Sequence, residues 1–154
     1  QVDSDELWTA ENLKNVVELF STYSAAQGAR FFCDYYVGPS LVTVGEDCYG
    51  NQKDEWLRAW RFKAGMRFNS HEPPVLAGNL GAAIDKSTTK RMGITFRHMA
   101  YATERQAAFK ERFYGYKGAA SQWRNLQAYR GPFPAKLKPF LPWVDNRVLV
   151  TRAP

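Results

Sequence analysis

Cys33, Cys48, His71 and His98 are the side chains best suited to ligate a transition metal, and Glu46-Asp47 and Asp54-Glu55 supply adjacent carboxylates. Zinc motifs place their ligands in close pairs, and no two of these Cys and His residues share such a spacing. Adjacent side chains on a strand face opposite ways, so neither carboxylate couple is an acid/base dyad by itself. A reactive thiolate needs a helix terminus or a C-x-x-C neighbour to lower its pKa, and neither cysteine has one. Gly78-Asn79-Leu80-Gly81 lacks the third glycine and the Lys-Ser/Thr of nucleotide-binding loops. These patterns predict no catalytic, cofactor or metal site. One constellation remains. Arg112, Phe113, Tyr114, Tyr116, Lys117, Trp123 and Arg124 interleave cations with rings, a composition that suits base stacking and phosphate neutralisation, or a protein interface.

The elements that must position these residues follow from the hydrophobic pattern. Leu13, Val16, Val17, Phe20 and Tyr23 recur at helical spacing, with Glu11, Asn12, Lys14, Asn15, Glu18 and Ser21 turned away, which predicts an amphipathic helix ending near Gln27-Gly28. Thr9 or Ser4 can cap it. Ala29 to Val37 is rich in rings and reads as a strand or as more helix. Leu41–Val44 is a strand candidate, and Gly50-Asn51 can reverse the chain cheaply toward Gln52–Leu57. Trp60, Phe62, Met66 and Phe68 alternate with Arg61, Lys63 and Arg67, as a third, half-buried strand would.

The chain is therefore expected to be α+β, divided into an N-terminal helix (1–28), an antiparallel β-meander (29–68), a loop or insertion (69–92), a mixed helical and irregular basic segment (93–130) and an extended Pro-rich tail (131–154). In the basic segment, Phe96, Met99 and Phe109 suggest helical spacing. In the tail, Pro132, Pro134, Pro139, Pro142 and Pro154 are expected to forbid helix and central strand.

Bulk properties narrow the partners. The 154 residues suffice for one domain, and 15% are aromatic, which favours flat surfaces that dock on other proteins. Residues 1–85 hold seven Lys/Arg against twelve Asp/Glu, whereas residues 86–154 hold fourteen against three. A partner for the basic half would be acidic: nucleic acid, an anionic membrane face or an acidic protein groove. Two cysteines are too few for a disulfide framework, so a reducing compartment is expected. No run approaches the ~18 apolar residues of a bilayer span. A first residue that is not Met suggests a trimmed N-terminus.

Gln27-Gly28-Ala29-Arg30-Phe31-Phe32, then Val44-Gly45-Glu46-Asp47-Cys48-Tyr49-Gly50-Asn51, then Phe109–Gly118 and the Pro-Lys-rich end resemble one family. It is the accessory subunit of mitochondrial respiratory complex I called NADH dehydrogenase (ubiquinone) alpha subcomplex subunit 12. That family carries a Val-Gly-Glu-Asp-x-x-Gly-Asn motif after a helix and strand, and this chain is similar to it over that motif. It is a divergent relative by this measure, with Gln52-Lys53-Asp54-Glu55-Trp56 where the family carries a basic residue and two tyrosines.

The resemblance implies a non-catalytic, cofactor-free subunit, peripheral on the matrix side of the mitochondrial inner membrane. Its partners would be the iron–sulfur and zinc-carrying subunits of the matrix arm, with no small-molecule substrate and with nucleic acid disfavoured. On this reading Gly45, Asp47, Gly50 and Asn51 shape the hairpin, Trp60, Trp123 and Tyr129 are anchors, and Lys136 and Lys138 meet acidic grooves. Two rival expectations are a basic nucleic-acid-associated protein, such as a mitochondrial ribosomal component, and the paralogous complex I assembly factor.

Overall fold

A computed structural model describes residues 1–44, 56–71, 74–77 and 81–153. Among the described residues the elements run β1 (Glu6–Leu7), α1 (Ala10–Thr22), β2 (Gly28–Arg30), β3 (Phe32–Gly38), β4 (Leu41–Val44), β5 (Leu57–Trp60), β6 (Arg67–His71), β7 (Pro74–Ala77), β8 (Ala83–Ile84), α2 (Lys86–Arg91), β9 (Thr95–His98), α3 (Glu104–Tyr114), α4 (Ala119–Gln127), β10 (Ala135–Lys136) and β11 (Leu149–Arg152). The fold is α+β. It is divided into two compact units interleaved in sequence. The first draws on residues 1–2, 8–32 and 54–95, and the second on 3–7, 33–53 and 96–154.

In the first unit, β2 lies between β5, which is antiparallel to it, and β8, which is parallel; β6 and β7 form a separate hairpin. Ala29 and Phe31 are wholly buried, and the Trp8 ring meets Phe31 edge-on at 5.2 Å. Helix α1 opens with a reciprocal cap. The Thr9 hydroxyl accepts from the Asn12 amide at 3.0 Å, and the Asn12 side-chain oxygen accepts from the Thr9 amide at 3.3 Å. The helix stops at Thr22, five residues short of Gln27, because Gln27 is already hydrogen-bonded alongside the sheet, to Ala82 and Arg61.

The inward face of α1 differs from the one its apolar pattern suggests. Leu19 is fully buried and Asn12 nearly so, while Leu13 and Val17 face solvent. Asn12 and Asn15 point inward because their amides donate to Gly93 and Met92 carbonyls at 3.3 and 3.5 Å, in the turn that ends α2. Those carbonyls have no helical partner, and the two side chains supply one.

In the second unit a six-stranded sheet runs in the order β1-β9-β3-β4-β11-β10. β3 and β4 are antiparallel, and the chain turns between them at Pro39-Ser40. α3 and α4 bury Ala107, Ala119 and Leu126. α4 is tied to β3 by Gln127, whose side-chain amide donates to the Val37 carbonyl at 3.1 Å.

Four expectations change. The turn at Glu46–Asn51 lies outside the described residues, but β4 pairs with β3 and β11 and β5 pairs with β2, so the three runs do not make one meander. The alternation from Trp60 to Phe68 is broken by a turn at Ala64-Gly65, where Gly65 has a positive φ. The third change covers residues 69–98, which hold most of the β6–β7 hairpin, β8, α2 and, in place of helix, strand β9.

The fourth change concerns the tail. Instead of running extended, residues 131–153 turn repeatedly, and β11 becomes an interior strand between β4 and β10. Proline disrupts regular structure locally, at its own position and just before it, and β11 neither contains a proline nor immediately precedes one. Leu137, Leu141, Val144, Val148 and Val150, spaced between and after the prolines, are buried almost completely and hold this segment to the core.

Candidate functional site

On the first unit the exposed flank of α1 and the edge strand β5 frame a groove of about 800 Å³. Trp8, Leu13, Val16, Val17, Phe20, Ala59 and Trp60 line it, with Arg58 and Arg61 among its polar groups. Leu13 is 50% exposed and Val17 68% exposed, so one wall is apolar surface in water. The Trp60 ring is held edge-on by Phe68 at 5.8 Å.

Arg61 holds the groove's shape. Its guanidinium donates to the Phe20 carbonyl at 2.6 Å and the Ala26 carbonyl at 3.0 Å, and lies over the Phe20 ring at 5.2 Å. α1 has no basic residue in its last turn, so Arg61, just past β5, supplies the cation that the helix's C-terminal carbonyls favour.

On the second unit α3 carries the ring and cation cluster. Phe109 and Phe113 stack at 5.2 Å with planes 14° apart, and Phe113 and Tyr114 meet edge-on at 4.9 Å. The series continues inward through Tyr116, stacked on Trp143 at 4.7 Å, to Tyr101 at 6.2 Å. Lys110 lies over Tyr101 and Tyr114, at 5.2 and 5.3 Å.

The acids around this cluster are engaged. Glu104 is paired with Arg124. The Glu111 carboxylate accepts from the amides of Gly118 and Ala120 at 3.0 and 3.2 Å. Those hydrogen bonds, Ala120's first, hold its pKa below the ordinary carboxylate value, and the Arg124 charge adds to the effect. Asp145 is held low in the same way, chiefly by the Arg147 amide and then by its guanidinium. In the first unit, Asp85 is held low chiefly by the Thr88 amide at the start of α2.

His98 occupies a third setting, also in the second unit. It lies opposite Glu6 across the β1–β9 pair, with Glu6 and Asp5 oxygens 3.9 and 3.8 Å from its ring nitrogens and Tyr35 stacked on it at 5.1 Å. Cys33 is buried in β3. No three His, Cys, Asp or Glu among the described residues form a group that could hold a metal ion.

The residues singled out in the sequence fall in different places. Gly45, Asp47, Gly50 and Asn51 lie outside the described residues. Trp60 lines the groove. Trp123 is half-buried, and its indole N–H donates to the Tyr101 carbonyl at 2.6 Å, which ties α4 down. Tyr129 packs on Phe133 and Phe140 at 5.5 and 5.4 Å, and is likewise committed internally. Lys136 is exposed on β10, and Lys138 is half-buried.

The structure adds Trp8, Leu13 and Val17 to the groove, and Arg105 and Phe109 to the α3 face. The signal for the second pair was present: Arg105, Phe109, Arg112 and Phe113 recur at helical spacing. No protein-family model, curated protein or solved structure matches the chain. No helix among the described residues is long and apolar enough to cross a membrane.

Proposed function

We propose that this chain is a non-catalytic accessory subunit that works by docking on other proteins, and that its place is the matrix arm of mitochondrial complex I. The groove supports the docking half of this reading, and its half-exposed wall of Leu13 and Val17 is the observation that carries it. A small ligand lying in the groove would leave much of that wall wet. An apolar, helical segment of a neighbouring subunit laid along α1 would cover it, with Trp8 and Trp60 as aromatic contacts. Leu13 and Val17 are already partly covered, so covering the remainder is favourable by about 1–2 kcal/mol each.

The order of sequence motifs from Gln27 through Val44–Asn51 to Phe109–Gly118 supports the placement in complex I. With residues 131–153 folded onto the core, the docking role passes from the tail to the groove.

The test is co-migration of the tagged chain with NADH dehydrogenase activity on native gels of mitochondrial membranes, with and without Leu13→Asp. The expected result is that the wild-type chain runs with the finished enzyme and the variant does not. A wild-type chain that never co-migrates sinks the complex I placement, and a variant that still does sinks the groove as the dock. Appearance on assembly intermediates alone would favour the assembly-factor paralogue.

A further inference from the structure

The exposed face of α3 carries Arg105, Phe109, Arg112 and Phe113 at positions i, i+4, i+7 and i+8, which places cation, ring, cation and ring on one stripe of the helix. All four are exposed, Phe113 to 64% and Phe109 to 48%. Tyr114 and the exposed Lys117 extend the stripe toward the loop before α4. α3 contains no Leu, Ile or Val, so its exposed apolar surface consists of flat rings rather than aliphatic knobs.

The stretch of chain that carries these rings is basic. Residues 96–153 hold eleven Lys and Arg against three acids. Each of the three acids is already engaged: Glu104 with Arg124, Glu111 with the amides that open α4, and Asp145 with Arg147. None of these three carboxylates is paired with Arg105, Arg112 or Lys117.

We propose that this face binds single-stranded nucleic acid, with Phe109, Phe113 and Tyr114 stacking on bases and Arg105, Arg112 and Lys117 neutralising phosphates. Rings accept any base on their faces, and cations flanking them track the backbone, so the binding tolerates different sequences. A duplex hides the base faces that the rings need. An aliphatic peptide finds no matching knobs on α3. This site is separate from the groove on the first unit and depends on none of its residues.

The experiment is fluorescence anisotropy of the full chain with fluorescein-labelled oligo(dT) of about 16 nucleotides, the upper end of single-strand site sizes. Binding is expected to weaken with salt, with a logarithmic slope of about −0.7 per phosphate neutralised. Phe109→Ala and Phe113→Ala are each expected to weaken binding about tenfold, while Phe113→Trp retains it. Arg112→Ala is expected to reduce the salt slope by about 0.7.

These residues are exposed, so the variants should fold, and circular dichroism verifies that they do. No binding at low salt overturns the proposal. So do ring variants that bind like wild type, or a duplex of equal length that binds as tightly. Poly-glutamate that competes fully, and whose own binding is lost in the same ring variants, identifies an acidic protein as the occupant and also overturns it.

Discussion

The Glu111 carboxylate on α3 accepts a hydrogen bond from the Ala120 amide in the first turn of α4, at 3.2 Å, and a second from Gly118 at 3.0 Å. α4 needs this help because its own N-cap is Gly118, which has a positive φ and offers no side-chain acceptor. One side chain thereby satisfies two unpaired helix donors, meets the positive end of the helix dipole and fixes the angle between two helices. It also keeps an acid away from the exposed stripe of α3, so a structural cap shapes the electrostatics of the proposed binding face.

Glu111→Gln is expected to lower the melting temperature at neutral pH and to speed hydrogen exchange at the Gly118 and Ala120 amides. Because Glu111's pKa is depressed in the folded state, its contribution is complete above the ordinary value of about 4.3. It is lost as pH falls through the lower folded value. The gap between wild type and variant, measured by urea melts, should be widest at about pH 7 and narrow toward about pH 3. A gap that grows in acid would contradict the cap.

Arg61 joins the end of β5 to the end of α1 through two backbone carbonyls and the Phe20 ring. Hydrogen bonds from a charged donor contribute about 1.5–3 kcal/mol, so Arg61→Ala should destabilise the first unit by an amount in that range. Lys at this position offers a point charge and cannot span both carbonyls with a planar fork, so Arg61→Lys should recover less than half of the loss. Denaturant melts of the two variants measure both quantities.

A Cβ added at Gly38 would collide with the side-chain amide of Gln127 and break that amide's bond to the buried Val37 carbonyl. Gly38→Ala is therefore expected to cost about 1–3 kcal/mol, the penalty for leaving a buried acceptor unmet. In a double-mutant cycle, Gln127→Ala should cost little more once Gly38→Ala is present, since both changes remove one interaction. Additive losses would show that the two residues act separately.

The α+β class, the N-terminal helix and the strand at Leu41–Val44 were legible because each rests on a local run of residues, helical periodicity in one and β-forming side chains in the other. Strand partners were not legible. β4 finds β11 more than 100 residues away, and no local pattern encodes that choice. The tail misled for a related reason: its prolines are conspicuous, and although Leu137, Leu141, Val144 and Val148 recur at helical spacing, Pro139 and Pro142 deny that segment a helix, so these residues become core only through tertiary packing. At the site, Trp60 was readable as a surface ring. Trp123 was not, because its indole finds a backbone carbonyl on a segment 22 residues earlier.

Helix α1 offers the sharpest test of structure against pattern. By periodicity Leu13 is core and Asn12 is surface, and the structure reverses them: Asn12 is buried and Leu13 is half-exposed. Asn12 completes the cap with Thr9 and donates to Gly93, so Asn12→Ala removes both a cap and a hydrogen bond from α1 to the turn after α2. Cap losses alone cost about 0.5–2 kcal/mol, and Asn12→Ala should fall at or above the top of that range. Leu13→Ala faces solvent in the isolated chain and should shift stability by no more than about 0.5 kcal/mol. Denaturant melts of the pair decide it, and a larger loss at Leu13 would mean that the groove wall is core after all and unavailable to a partner.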